Sequence, residues 1–213
     1  MTGPDTDTGP TAGAEAARGI DLPSEAIRTL VRWAGMFFFA GMVSLGAHVA
    51  IPIEPFGVPF TLQTLAVVLA ALCLGPRYGL GSMALYIAMG IVGVPLFAEG
   101  EAGLGVILGQ SGGYVLGFAA CQPVITSIVK RRDGSIRGWG AMIAAVVVGH
   151  LVIFAIGVPW LYFVRLSDDA ARVTFEEAVR GGLVPFLPGM VVKAVIAVWI
   201  GRVAAPLASR QIW

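Results

Sequence analysis

VVKAVIAVWIG (191–201) is hydrocarbon apart from one residue, Lys193. It sits inside an apolar run over 184–206, long enough to cross a bilayer, which takes ~20 residues of helix. No other lysine or arginine lies so deep in an apolar segment of the chain. An ionisable side chain at membrane depth costs ~2.5–3.5 kcal/mol on insertion scales, so by default it marks a functional site. A small protein that keeps one such ammonium is expected to hold an anion with it.

The rest of the composition agrees with lipid as the solvent. Of 213 residues, 57% are hydrophobic and 13% charged; a soluble domain carries roughly 25% charged residues. Apolar segments over 27–51, 59–74, 80–97, 113–129, 139–164 and 184–206 predict an all-α polytopic membrane protein with six transmembrane helices. The second is short, bounded by IPIEPFGVP before it and LGPRYG after it. Residues 1–25, rich in Gly, Thr, Ala, Pro and acids, bury too little to offset ordering entropy and are expected to form a disordered cytoplasmic tail. Residues 26–213 then form one membrane domain.

Basic residues orient the bundle. With six crossings, Arg18, Arg28, Arg32, Arg77, Lys130, Arg131, Arg132, Arg137, Arg202 and Arg210 all fall on one side. The other side receives Glu54, Glu99, Glu101, Asp168, Asp169, Glu176 and Glu177, with only Arg165, Arg172 and Arg180. Both termini are therefore expected in the cytoplasm. The outer connections differ in kind: 51–60 is stiffened by three prolines, and FAEGEAGLGVILGQSGGY (97–114) is rich in glycine. Irregular backbone at membrane depth is tolerated where protein or a water-filled cavity surrounds it, so 97–114 should line or cover an outer cavity. Thr174 followed by Glu177 is a capping-box pattern and predicts a short amphipathic helix over 175–180.

Catalytic signals are sparse. A P-loop needs GxxxxGK[ST], and the glycine-rich stretch has no lysine. There is no HExxH, and no paired intramembrane carboxylates that could relay protons or sodium. His48 and His150 stand alone and read as satisfied or interfacial, and Cys73 and Cys121 have no metal-binding spacing. The chain reads as a non-enzyme without a cofactor or an energy source of its own.

The residues 58–118, with TLQTLAV (61–67), the G-x-x-G-x-P-x-F turn (90–97) and GGY (112–114), together with PFLPGxxxK (185–193), resemble the BioY family of biotin transporters. These are the substrate-binding S components of energy-coupling factor (ECF) transporters. The resemblance covers about 35–205. It implies biotin captured near the extracellular face by a multi-pass protein of the bacterial inner membrane, partnered by a transmembrane coupling protein and two ATPase subunits. It also implies that Lys193 belongs to the ligand site, pairing with biotin's valerate carboxylate. Where the family pattern has an acid three residues before that lysine, this chain has Met190, a weak acceptor for ureido N–H groups. Gln110 and Ser111 replace the expected Pro-Thr before GGY. These departures, Met190 above all, leave open an S component for another small anionic vitamin, and an autonomous facilitative carrier without ATPases is the further alternative.

Ser111 and Tyr114 are candidate hydrogen-bonding groups, and Gly112 and Gly113 are expected to let backbone approach the ligand. Phe97, Phe60 and Tyr86 are candidate apolar walls. Gln63, an amide on an apolar helix, should find either the ligand or another helix. Ala40 and Ser44 form a small-xxx-small pair expected to meet the coupling protein, with packing inside the bundle as the other reading.

Overall fold

The computed structural model describes residues 24–53, 56, 58–167 and 172–212. The tail expected over 1–25 lies outside them up to residue 23, as do Glu54, Asp168, Asp169 and the side chain of Arg210. Helix α1 (Glu25–His48) begins at Ser24, whose hydroxyl accepts from the Ile27 amide at 3.4 Å. After it, a two-residue strand β1 (Ala50–Ile51) pairs antiparallel with β2 (Phe60–Thr61). The proline-rich connection is thereby closed at its base. There follow α2 (Gln63–Ile91), α3 (Leu104–Leu108), α4 (Gly112–Val129), α5 (Trp139–Leu166), α6 (Phe175–Gly182) and α7 (Leu187–Ile212).

The second and third apolar segments are two helices, the two arms of α2, that meet at a single residue, Gly75, with φ 72° and ψ −175°. That conformation is essentially restricted to glycine, and Pro76 follows it at once. The reversal is visible in one contact: the Gln63 side-chain amide donates to the Tyr86 hydroxyl at 2.6 Å. In a straight helix these residues would stand about 34 Å apart. Five helical stretches are long and apolar enough to cross a membrane, and α2 is one of them. Because α2 doubles back, the bundle has six apolar arms, the first arm of α2 being short at about 18 Å.

The basic groups gather at one end. Arg32 donates to the Ile212 carbonyl (3.2 Å) and lies 5.7 Å from the Tyr78 ring centre. Arg202 donates to the Arg137 carbonyl (3.1 Å) and lies over Trp139. The first described turn and the last helical turn therefore share an end, as an even number of crossings requires.

Packing follows membrane rules rather than aqueous ones. Leu30, Phe37 and Leu45 on α1 are exposed, as are Val195, Trp199 and Val203 on α7, so the outer faces are apolar. Inside, small residues let backbones close up: Gly117 of α4 abuts the Ile153 backbone of α5, and Gly149 of α5 meets Ile125 of α4. The fully buried Gln122 donates to Val67 O (3.1 Å) and Phe118 O (3.0 Å), and Thr126 donates to Ala71 O (3.2 Å). These bonds tie α4 to the first arm of α2 where no water competes for them.

The short helix expected over 175–180 forms as α6 with both halves of its capping box: Thr174 N–H donates to Glu177 Oε2 (2.7 Å), and the Glu177 amide donates back to Thr174 Oγ1 (3.2 Å). The Thr174 amide holds the Glu177 carboxyl below the usual carboxylate range.

Replacing Gly75 by alanine forces an L-residue into a region that costs of order 1–3 kcal/mol. Thermal unfolding in detergent should show a midpoint lowered by several degrees. Gly41→Ala, where an added Cβ meets nothing within 4 Å, should leave the midpoint unchanged.

Candidate ligand-binding site

A cavity of about 850 Å³, open mouth included, lies at the end of the bundle away from the arginine cluster. Its walls come from the 58–64 stretch leading into α2, from Tyr86 and 97–101, from Val106 of α3, from Ser111 and the first turns of α4, and from the facing stretches of α5 and α7. Glu99 and Glu101 are exposed at its mouth, and Lys193 and His150 are buried at its floor.

Lys193 is 5% exposed. Its Nζ donates to the Thr61 carbonyl at 3.0 Å and sits 4.5 Å from the centre of the Phe60 ring. The β1–β2 pairing delivers that carbonyl, because it holds Thr61 against the head of α2. Among the described residues no carboxylate lies within 4.0 Å of the ammonium. One carbonyl and one aromatic face are partial compensation for a buried charge with three donors. Snorkelling to the interface and a fixed internal ion pair, the two structural uses of such a lysine, are both unlike this arrangement.

The aromatic wall has two clusters. Phe97 packs edge-on to Tyr86 with ring centres 5.5 Å apart, and Tyr114, Phe154 and Phe186 cluster with centres 6.0–6.3 Å apart. Tyr114 is fixed by donating to Gly182 O at 2.8 Å, so the hydroxyl expected at the ligand is spent on the last residue of α6. Tyr86 and Gln63 both line the cavity and bond one another, and the Thr61 hydroxyl donates to Gln63 Oε1 (3.1 Å). Met190 and Ser111 line it too.

Three sequence expectations are corrected by the packing. Gly112 and Gly113 are not at the cavity wall: a Cβ on Gly112 would strike the Ile107 carbonyl of α3, and one on Gly113 the Trp160 side chain. Their bareness serves helix contact, not ligand approach. Phe60 is beneath Lys193 instead of on the wall. Ala40 and Ser44 are buried, on the face of α1 turned into the bundle, which does not fit the expected contact with a partner protein.

Sequence reasoning missed His150. It is 1% exposed and its Nδ1 is 2.9 Å from the Val146 carbonyl, yet Nε2 is buried without a partner while the residue lines the cavity. The hydroxyl of Thr64, also lining the cavity, is likewise unpartnered. Helical spacing was the available signal: His150 stands one turn before Phe154 on the α5 face that lines the cavity. Ser111 lies within GQSGG (109–113), which has the spacing of a nucleophile elbow. That motif requires a strand-to-helix turn, whereas this segment joins two helices. Among the described residues no hydrogen bond joins Ser111 to His150.

An apolar helical bundle with one aromatic-walled, ammonium-floored cavity is a membrane protein built to hold a small polar molecule. The chain belongs to the BioY family, whose pattern matches residues 21–210. It is 37% identical over 164 residues to the probable biotin transporter BioY of Pyrococcus horikoshii, covering 77% of this chain and 90% of that one. It is 35% identical over 162 residues to the biotin transporter BioY of Thermotoga maritima, covering 76% and 88%. Its fold matches a crystal structure of the S-component for biotin from an ECF-type ABC transporter, with TM-score 0.73, 24% identity, and 85% and 93% of the two chains covered.

Gly112→Ala should push α3 off its seat. Hydrogen exchange over 104–108 should quicken, whereas Gly105→Ala, with open space at its Cβ, should leave it as it is.

Proposed function

We propose that this chain is a biotin-capture subunit of a bacterial inner membrane, its cavity facing outward and its arginine-rich end in the cytoplasm. The observation that carries this is the buried Lys193 ammonium, unpaired with any described carboxylate, on the floor of a cavity walled by Tyr86, Phe97, Tyr114, Phe154 and Phe186. Biotin suits such a site. Its bicyclic ring and thioether bury apolar surface against aromatics, worth roughly 25 cal/mol per Å² removed from water. Its oxygens, the valerate carboxylate at one end and the ureido carbonyl at the other, are acceptors for Nζ. The family and the biotin transporters it resembles support the reading.

The 97–114 segment bears on entry and closure. Ala98, Glu99, Glu101 and Val106 line the mouth, so a ligand inside is covered by a 3₁₀ turn and a short helix that glycines join to the bundle. Energy for accumulation comes from elsewhere: no nucleotide-binding motif lies in the sequence. We assign it to a transmembrane coupling protein and two ATPase subunits, which would tilt or rearrange the bundle to release biotin inward.

Lys193→Ala removes the donor and should weaken biotin binding to the detergent-purified chain at least about tenfold by titration calorimetry, the scale of a hydrogen bond to a charged group. Unchanged affinity would separate Lys193 from the ligand. In liposomes, the chain alone should not concentrate biotin. Equilibration without accumulation would favour the autonomous carrier.

A further inference from the structure

Among the described residues, His150 is the one cavity-lining residue with a buried ring nitrogen left over. Its Nδ1 lies 2.9 Å from the Val146 carbonyl. A carbonyl only accepts, so Nδ1 carries the proton, and in the neutral ring, the ordinary form near pH 7, Nε2 presents a lone pair. Nothing among the described residues donates to it. A buried acceptor without a partner is a cost the fold bears unless something else completes it. It lines the same cavity as Lys193, which has donors and no further acceptor.

A floor that combines an ammonium with an unpartnered acceptor is matched to a ligand group with both polarities. A carboxylate has no N–H to give Nε2. A cyclic urea has a carbonyl for Nζ and N–H groups for Nε2. Glu99 and Glu101 at the mouth repel a carboxylate held there, but both are exposed and screened by solvent. That repulsion is weaker than the loss of a buried hydrogen bond.

We propose that His150 Nε2 accepts an N–H of the ligand's cyclic urea, doing in this chain what Met190 cannot do, with Lys193 donating to the urea carbonyl and the acid tail turned toward the mouth. The assignment rests on the biotin reading above and adds a specificity-determining residue to it. It makes His150 the reason a methionine is tolerated at position 190.

The test is a set of titrations on the full purified chain with biotin, biotin methylated at both ureido nitrogens, and biotin amidated at its carboxyl. The wild type should bind biotin and lose at least about tenfold on ureido methylation, with far less loss on amidation. His150→Leu should lower biotin affinity by a similar factor and shrink the methylation penalty several-fold. His150→Gln, which keeps an acceptor oxygen, should recover part of both. The ligand-free thermal midpoint of His150→Leu should hold or rise, because the substitution removes an unsatisfied group. A purely structural histidine predicts the reverse, a lowered midpoint with the methylation penalty intact.

Affinity within about twofold in His150→Leu, or an amidation penalty exceeding the methylation penalty in the wild type, overturns the inference and leaves biotin capture standing. No biotin binding by the wild type at any accessible concentration overturns both.

Discussion

A positive charge held on a dry floor by a single carbonyl is the constraint around which this molecule is organised. Lys193 Nζ donates one hydrogen bond to the protein, to the Thr61 carbonyl, and rests on the Phe60 ring. Removing an ammonium from water costs several kcal/mol even after relaxation, and one neutral acceptor offsets a fraction of that. In the proposed reading the ligand recovers the remainder: the β1–β2 pair supplies the Thr61 carbonyl, and Glu99 and Glu101 at the mouth stay in solvent.

The scaffold makes such a site possible by spending few polar groups on itself and satisfying nearly all of them. Gln122 and Thr126 bond backbone carbonyls of α2, and Gln63 bonds Tyr86 across the α2 hairpin. Gly75 is what brings Gln63 and Tyr86 together, since only a residue without Cβ turns the chain there without strain. The hairpin therefore links a backbone conformation near the arginine-rich end to the wall of a cavity near the other. Among the described buried side-chain atoms left without a partner, His150 Nε2 and the Thr64 hydroxyl belong to residues that line the cavity, whereas Gln122 Oε1 does not.

Much of this was legible in the sequence because lipid imposes a simple code. Apolar runs located the helical arms, the lone lysine located the floor, and Thr174 with Glu177 located α6. The features that escaped share a physical reason. Whether LGPRYG is a loop or a one-residue reversal depends on φ at Gly75, which sequence spacing does not encode. Whether Gly112, Gly113, Ala40 and Ser44 face a ligand, a partner or a neighbouring helix depends on helix rotation, and small residues suit all three. His150 looked satisfied because one of its nitrogens is; the other becomes an orphan only in three dimensions.

The most direct measurement is an experimental structure of the chain with biotin bound. The account predicts a biotin oxygen within hydrogen-bonding distance of Lys193 Nζ, the bicyclic ring among Tyr86, Phe97 and Phe186, and the 97–114 segment closed over it. Biotin bound elsewhere on the chain, or Nζ turned away from it onto Glu99 or Glu101, would contradict the account.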